Sequence, residues 1–293
     1  MEFPPDEIVI SDGGLATELE SRGYDLGGGL WSARLLADDP AAIRSVHAAY
    51  FAAGARIATT ASYQASIDGF AGHGRDRAEA VELLRRSVRL AVEARASLPD
   101  PSGRWVAASV GPYGAALADG SEYRGRYGLS AERLADWHRP RLEVLAGAGA
   151  DVIALETVPD LVEAEALVRL VGETGVRAWL SYTIEGVRTR AGQPLAEAFA
   201  LAAEPGIVAV GVNCCDPADA PEAIAIANSV TDRPVIVYPN SGEQWQGRWT
   251  GPTGFTAAAA QGWIAAGARI VGGCCRVGPE LIASLIGSKA ERI

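Results

Sequence analysis

AAGARI occurs twice in this 293-residue chain, over residues 52–57 and again over residues 265–270. A looser third copy, GAGADVIAL, covers residues 147–155. In each copy a helical stretch ends at a glycine, which adopts the left-handed conformation without steric penalty and closes the helix. The apolar run that follows is typical of a strand buried on both faces. The repeated stretch therefore predicts helices that alternate with parallel strands.

The same pattern continues along the chain and predicts eight strands and eight helices. The strands cover residues 8–11, 56–60, 105–110, 152–155, 178–183, 208–212, 235–238 and 269–272. The helices cover residues 40–53, 77–96, 131–146, 161–171, 195–203, 221–229, 255–266 and 279–286. Such units in a chain near the ~250-residue norm predict an α/β fold, a (β/α)8 TIM barrel that spans residues 1–293 as a single domain. A doubly wound open sheet is the alternative.

Distinctive polar stretches follow the predicted strands. They are SDGGLATELE (11–20), TTASYQAS (59–66), GPYGAALADGSEYRGRYG (111–128), ETVPD (156–160), NCC (213–215), PNSGEQW (239–245) and GCCR (273–276). In a parallel barrel these loops meet at one mouth, whereas an open sheet spreads them along an edge. The barrel therefore predicts one functional site that is shared by several loops.

The charge balance excludes some classes of partner. The chain has 26 basic and 36 acidic residues, a net charge of -10, and no cluster of lysine or arginine. Nucleic acid and anionic membranes are therefore not expected as partners. No apolar run approaches the roughly 20 residues that cross a bilayer, and residues 1–6 lack the features of a secretory signal. We expect a cytoplasmic protein that acts on small molecules, with an oligomeric state that the sequence does not fix.

The four cysteines form two doublets, Cys214–Cys215 and Cys274–Cys275. In a reducing compartment such doublets indicate metal ligands or reactive thiolates, with small buried apolar side chains as the alternative. Neighbouring residues of a strand point to opposite faces, so Cys274 and Cys275 share a site only if the strand breaks there. The preceding Gly272 and Gly273 predict that break through their conformational freedom.

A barrel brings the ends of strands six and eight together, so three sulfurs could bind one ion. Three soft sulfur ligands favour zinc and leave the fourth tetrahedral position open, with buried or redox-active thiols as the alternative. Zinc with three thiolates has a net charge of about -1 and activates water poorly. It can still bind a thiol and lower its pKa below the free value of ~8.5. This chemistry suits transfer of an alkyl group from a cationic donor to a thiolate.

Five motifs resemble those of the homocysteine S-methyltransferases: DGGLATELESRG (12–23), ALETVP (154–159), GVNC (211–214), VYPNSGE (237–243) and GGCCR (272–276). The resemblance covers nearly the whole chain, in the same order. It implies a (β/α)8 barrel and a zinc ion (Zn2+) held by Cys214, Cys274 and Cys275, the catalytic centre, with the homocysteine sulfur as fourth ligand. It also implies that Asp12 and Glu156 bind the amino group of homocysteine.

Within that family, the size of the chain and YPNSGE are most similar to the branch that uses S-methylmethionine, sometimes S-adenosylmethionine, as methyl donor. The chain has no room for the folate and cobalamin modules of the cobalamin-dependent methionine synthases. One departure is Cys215, which extends GVNC to GVNCC. The motif makes Cys214 the ligand, although a shift of one residue would turn Cys215 toward the ion.

Further residues are expected at the mouth. The predicted substrate-binding residues, beyond the two carboxylates, are Asn213, Asn240, Tyr63 and Gln64. The aromatic faces that could contact a sulfonium cation are those of Trp31, Tyr63, Tyr113 and Trp245. Arg276 is expected to bind a carboxylate or form a salt bridge at the rim. Residues 111–128 form either a lid or an ordered excursion.

The three histidines, His47, His73 and His138, fall in or beside helices, which argues against a hydrolase with a histidine base. Two other functions stay open. One is a betaine- or selenocysteine-type methyltransferase with the same zinc–thiol site. The other is a non-catalytic zinc or thiol protein, which would not need Asp12 and Glu156.

Overall fold

The computed structural model describes residues 3–4, 7–27, 30–245 and 249–287, with an eight-stranded parallel sheet at the centre. The strands are β1 (Val9–Ile10), β2 (Ile57–Thr59), β3 (Trp105–Val110), β4 (Val152–Val158), β5 (Ala178–Tyr182), β6 (Ile207–Asn213), β7 (Val235–Tyr238) and β8 (Ala268–Val271). Each strand pairs with the next from β2 to β8, and β8 pairs with β1. A parallel bridge between Ser11 and Ile57 joins β1 to β2. This closure confirms the predicted barrel and excludes the open sheet.

Helices follow the strands in the predicted order. They are α1 (Pro40–Ala52), α2 (Arg77–Ala96), α3 (Ala131–Ala146), α4 (Leu161–Thr174), α5 (Leu195–Ala200), α6 (Ala220–Val230), α7 (Ala257–Ala265) and α8 (Pro279–Gly287). The predicted helix 195–203 is an α-helix only to Ala200 and then tightens into the 3-10 turn Leu201–Ala203. The alternation predicted from AAGARI is confirmed.

The glycines of AAGARI end the helices as predicted. Gly54, after α1, has φ +95°, and Gly267, after α7, has φ +113°. Space is also limited at both positions, because a Cβ on Gly54 would lie 2.1 Å from Ile286 and one on Gly267 would lie 2.4 Å from Asn228. The left-handed conformation is the main reason for glycine there, because the nearby atoms are the ends of flexible side chains.

Two apolar cores surround the strands. One fills the space between the strands and the helices. The other fills the barrel and consists of Phe3, Val9, Ile57, Ala107, Val152, Ala154, Trp179, Ala209, Ile236, Tyr238 and Ile270. Side chains two apart on a strand share a face, so the inward row of β4 continues from Ala154 to Glu156, and that of β3 from Ala107 to Ser109. The apolar interior thus ends in polar groups at the carboxyl ends of the strands.

Several loops at that end carry short elements of their own. The short helices are Leu15–Ser21, Leu35–Asp38, Ile67–Ala71 and Tyr113–Leu117. The 3-10 turns in these loops are Trp31–Arg34, Ser121–Tyr123 and Pro217–Asp219. Two small hairpins pair Ile184–Glu185 with Arg188–Thr189 and Gln244–Trp245 with Trp249–Thr250. Across the described ranges, no helix combines the length and the apolar character that a bilayer crossing requires.

Candidate active site

Three cysteine sulfurs converge at the carboxyl ends of β6 and β8. The Sγ atom of Cys214 lies 3.2 Å from that of Cys274 and 3.8 Å from that of Cys275. All three sulfurs lie within 4.8 Å of one another. This spacing allows one metal ion to contact all three, as the barrel predicted.

The backbone turns sharply at both cysteine stations. Cys214 follows the last residue of β6 and has φ +51°, a left-handed conformation that is uncommon outside glycine. β8 ends at Val271, so Cys274 and Cys275 are released from the alternation of a strand. The local turns therefore bring the sulfurs to one side.

Gly272 and Gly273 are needed for a different reason from the predicted one. Neither is among the described residues with left-handed φ. A Cβ on Gly272 would lie 2.7 Å from the carbonyl oxygen of Asp12, and one on Gly273 would lie 2.2 Å from Val277. Gly272 lets the end of β8 pack tightly against the end of β1, and Gly273 makes room for Val277 in the loop after β8.

Cys215 points away from the sulfur cluster. It is buried in the apolar core between the strands and the helices, whereas Cys214 contributes its sulfur to the cluster. The carbonyl of Cys215 accepts a hydrogen bond from the amide of Asn240 at 3.0 Å. The structure therefore brings Cys214, and not Cys215, beside Cys274 and Cys275.

The donor set suits a soft divalent cation. Hydrogen bonds to Cys214 and Cys275, and then burial, raise the pKa of the Cys274 thiol. Three thiolates cannot share this space without a compensating positive charge. A divalent cation supplies that charge, so the chemistry of the three sulfurs fits a metal site.

Two buried carboxylates lie at the same end of the barrel. Asp12 accepts hydrogen bonds from the amide and the hydroxyl of Thr59, at 2.5 and 2.9 Å, and from the hydroxyl of Ser11 at 3.1 Å. Glu156 accepts a hydrogen bond from the hydroxyl of Ser109. The carboxylates therefore have fixed orientations before any ligand binds.

Burial dominates the electrostatics of both carboxylates. It raises the pKa of Asp12 from 3.8 to about 6 and that of Glu156 from 4.5 to about 7. The charges of Asp12 and Cys214 contribute to this rise for Glu156. Charges in a buried region are only weakly screened, so Asp12 and Glu156 together would bind a cationic ligand such as an ammonium strongly.

Asn213 fixes the backbone beside Glu156. Its Oδ1 accepts from the amide of Thr157 at 2.8 Å, and its Nδ2 donates to the Thr157 hydroxyl at 2.8 Å. Thr157 has φ +59°, which is strained for a β-branched residue. The Asn213 side chain thus holds Thr157 in place, a partner that sequence reasoning missed.

Asn240 supports the second cysteine station. Its Oδ1 accepts from the amide of Cys275 at 3.1 Å. The amide of Cys274 donates to the carbonyl of Pro239 at 2.8 Å. The loop after β7 therefore holds the backbone that carries two of the three sulfurs.

The sequence profile described as "Homocysteine S-methyltransferase" matches residues 9–287 of the chain. The chain belongs to this family. Homocysteine S-methyltransferase YbgG of Bacillus subtilis is 44% identical in an alignment of 293 positions, gaps included, which covers 94% of this chain and 92% of that protein. The homocysteine S-methyltransferase of Escherichia coli is 45% identical over 292 residues, which cover 95% of this chain and 94% of that protein.

Two further relatives bear on the chemistry of the homocysteine S-methyltransferase fold. The crystal structure of the metallated form of the homocysteine methyltransferase MmuM from Escherichia coli is similar with a TM-score of 0.88 at 44% identity, over 97% of this chain and 96% of that one. The selenocysteine Se-methyltransferase of Brassica oleracea var. italica is 42% identical in an alignment of 302 positions, gaps included, which covers 94% of this chain and 87% of that protein. The family thus includes a solved structure with bound metal.

The loop after β3 reaches the sulfur cluster, a contact that the motifs of the homocysteine S-methyltransferase family did not predict. The 3-10 turn Ser121–Tyr123 brings the hydroxyl of Tyr123 to 3.4 Å from the Sγ atom of Cys214. The adjacent Glu122 is buried. The signal in the sequence was an acidic and an aromatic residue, Glu122 and Tyr123, side by side in a long mouth loop.

The remaining predicted residues have diverse positions. Gln64 is buried, and its Nε2 donates to the carbonyl of Ala115 at 3.2 Å. Tyr63 is partly buried, and burial together with the charge of Cys214 raises its pKa. Tyr113 packs edge-on against Trp137 and Tyr127. The side chains of Trp31 and Trp245 lie outside the described part of the structure.

Arg276 lies at the rim, and two of the three histidines are buried away from the sulfur cluster. Arg276 is exposed and forms a 3.2 Å ion pair with Glu243 at the rim. His138 lies fully buried, with Nε2 2.9 Å from Glu163 and Nδ1 2.8 Å from Arg141. His47 is also buried, and burial lowers its pKa to about 4. These positions agree with packing roles for both histidines.

Proposed function

We propose that this chain is a zinc-dependent homocysteine S-methyltransferase that moves a methyl group from a sulfonium donor to the homocysteine thiolate. The product is methionine, and S-methylmethionine as donor yields a second methionine. The observation that carries the proposal is the placement of three converging sulfurs beside two buried carboxylates. The sulfurs suit a metal that binds a thiol, and the carboxylates suit an ammonium, which together describe the two polar ends of homocysteine.

In this proposal each residue has a separate task. Cys214, Cys274 and Cys275 hold zinc, which when bound supplies the Lewis acidity that lowers the pKa of an added thiol. Asp12 and Glu156 bind the ammonium group of homocysteine and fix its distance from the sulfurs.

Several neighbours support this geometry. Asn213 keeps Thr157 and Glu156 in register, and Asn240 keeps the Cys275 loop in place, so both serve substrate binding by positioning. Tyr63 and Gln64 line the approach for the donor. Alignment of the donor methyl with the acceptor sulfur then contributes much of the rate, because oriented binding replaces a rare encounter.

The test is to incubate the zinc-loaded protein with homocysteine and each donor in turn and to measure methionine. With S-methylmethionine, two methionines form for each homocysteine consumed; with S-adenosylmethionine, one forms together with S-adenosylhomocysteine. Betaine serves as a third donor, and its use would assign the betaine-type activity instead. Zinc uptake with no homocysteine binding would favour a non-catalytic zinc protein and contradict the proposal.

A second acceptor is supported by the 42% identity to a selenocysteine Se-methyltransferase. Selenocysteine is one methylene shorter than homocysteine, so the fixed distance between the carboxylates and the sulfurs discriminates between the two acceptors. A competition assay with both acceptors and one donor measures the ratio of kcat/KM values. A ratio that favours selenocysteine would reassign the acceptor while leaving the metal site intact. The cytoplasmic location and the single domain over residues 1–293 stay predictions.

A further inference from the structure

Glu122 presents a buried carboxylate whose charge the homocysteine site does not use. It is 4% exposed, and its Oε2 atom has no hydrogen-bond partner among the residues that the structure describes. Four further polar atoms in these mouth loops share this condition within the described chain: the hydroxyl oxygens of Tyr63 and Tyr127, Oε1 of Gln64 and Oγ of Ser121. Buried polar atoms are nearly always paired, so such a group indicates a polar ligand that is still to be bound.

The position of Glu122 limits what that ligand is. The next residue, Tyr123, has its hydroxyl 3.4 Å from the Sγ atom of Cys214. Burial raises the pKa of Glu122, and the charge of Cys214 adds to this effect. The charge of Glu122 in turn raises the pKa of Tyr63. The carboxylate therefore lies within electrostatic reach of the sulfur cluster and of the β2 loop.

The surrounding backbone holds this carboxylate in place. The turn that carries Glu122 packs against the helix Tyr113–Leu117, since a Cβ on Gly114 would lie 2.4 Å from the amide nitrogen of Glu122. Gln64 is fixed to the same helix through the carbonyl of Ala115. The site is therefore preorganised, which reduces the entropic cost of binding.

We propose that Glu122 is the anionic contact for the sulfonium group of the methyl donor, with Gln64 and Ser121 as its polar neighbours. This inference rests on the proposed function. Three thiolates on a divalent ion carry a net negative charge, and Glu122 adds a second one across a buried space. Like charges in such a space repel each other, and a cation between them removes that repulsion. A sulfonium is such a cation.

The chemistry of the transfer gives this contact a direction. The bond between the donor sulfur and its methyl group breaks, and its electron pair stays on the donor sulfur. The new bond forms between the methyl carbon and the thiolate sulfur of homocysteine. The donor leaves as a neutral thioether, which Glu122 no longer attracts. The carboxylate thus favours binding of the charged donor over retention of its product.

The test compares a charged donor with a neutral molecule of the same shape. Homoleucine is that molecule, since a CH group replaces the sulfonium sulfur of S-methylmethionine while the amino-acid end is kept. In Glu122→Gln, we expect the KM for S-methylmethionine to rise by about ten- to hundredfold, the range of a lost bond to a charged group. The inhibition constant of homoleucine and the dissociation constant of homocysteine are expected to stay unchanged, and the latter shows that the variant is folded.

Asp119→Asn is the matched control. It removes a negative charge from the same loop, but the Asp119 side chain is 53% exposed, and asparagine can still accept from the amide of Ser121. We expect its KM for the donor to equal that of the unmodified protein. If Glu122→Gln weakens homoleucine as much as the donor, Glu122 binds the amino-acid end, and the proposal is wrong. An unchanged donor KM in Glu122→Gln also overturns it, whereas no turnover of the unmodified protein with any donor overturns the proposed function itself.

Discussion

The lower half of the barrel interior and its mouth follow different physical rules. The lower half is apolar and fully packed, with Val9, Ile57 and Ile270 all inaccessible to solvent. The mouth holds buried carboxylates and strained backbone. Among the described residues, the non-glycine positions with left-handed φ are Ala118, Arg126, Thr157, Cys214 and Arg276, and every one lies at or beyond the carboxyl end of a strand. The difference indicates that the lower half stabilises the fold, whereas the mouth holds strain and charge for function.

The largest effect is expected from Cys274→Ser, which changes the mouth alone. Serine is a poor ligand for a soft metal, so the three-sulfur set is lost. We expect loss of bound zinc and a fall in kcat of about a thousandfold or more, since metal activation contributes several kcal/mol. Metal analysis and the methionine assay measure the two losses together.

Cys215→Ala serves as the matched control for that experiment. Cys215 is a buried thiol next to Cys214 but packs in the apolar core. We expect this variant to keep its zinc and its kcat and to lose only a small part of its stability. Loss of zinc in Cys215→Ala with retention in Cys274→Ser would contradict the assignment of the ligands.

The opposite change, Ile57→Ala, alters the lower half alone. Ile57 is fully buried and pairs with Ser11 where the barrel closes. Truncation leaves a cavity, so the free energy of unfolding should fall by about 2–5 kcal/mol. Below the new melting temperature, kcat and both KM values should stay the same. A large loss of activity in the folded variant would show that the two halves are not independent.

The lower half could be predicted from the sequence because its determinants are local. AAGARI indicates a helix end and a strand start through one glycine and an apolar run, and Gly54 and Gly267 behave as expected. The convergence of Cys214 with Cys274 and Cys275 follows once the order of the strands is known. Pattern and topology suffice for these features.

Other features of the mouth depend on contacts between loops that no local pattern encodes. The need for glycine at Gly272 comes from the end of β1, far away in sequence. The bond from Tyr123 to Cys214 depends on how the β3 loop folds back. The pair between Asn213 and Thr157 joins the ends of β6 and β4, which lie on either side of β5 in the barrel. Such partners follow from the three-dimensional structure and not from spacing.

An intermediate effect is expected from Glu156→Gln, which should stabilise the fold and weaken the binding of homocysteine. Ionisation of the buried carboxyl is unfavourable, since burial raises its pKa from 4.5 to about 7. The neutral amide removes that penalty. We therefore expect the free energy of unfolding at pH 8 to rise by about 1–2 kcal/mol, a fraction of what the full pKa shift would give. Homocysteine should bind about ten- to hundredfold more weakly, because an ammonium loses its anionic partner. Thermal unfolding and calorimetric titration measure the two effects.

The raised pKa values of the two carboxyls also determine how the stability of the unmodified protein and its KM for homocysteine depend on pH. Groups with raised pKa stabilise the fold when protonated, and this contribution is lost as the pH rises through about 6 for Asp12 and about 7 for Glu156. Homocysteine binding needs the ionised forms, so its KM should rise as the pH falls from 8 to 6. In Glu156→Gln the upper part of this dependence should disappear. A KM that is flat over this range in the unmodified protein would contradict the role of these carboxylates.

The smallest effect is expected from Tyr123→Phe, which removes one hydrogen bond at the edge of the mouth. The hydroxyl of Tyr123 lies 3.4 Å from the Sγ atom of Cys214. When Cys214 is a thiolate that binds metal, its sulfur can only accept, so the hydroxyl donates and lowers the electron density on that sulfur. Without this hydrogen bond, the Cys214 sulfur would donate more charge to a bound metal, and the metal would lower the pKa of an added thiol less. We therefore expect kcat to fall about two- to tenfold with both KM values unchanged. The rising limb of the pH–kcat profile should also move to higher pH. Tyr127→Phe is the control in the same loop, because its hydroxyl acts on Glu163 instead. Equal changes in the pH–kcat profiles of the two variants would show that the loop needs its hydroxyls for packing alone. This part of the mouth would then contribute to stability, as the lower half does, and not to the chemistry of the sulfur cluster.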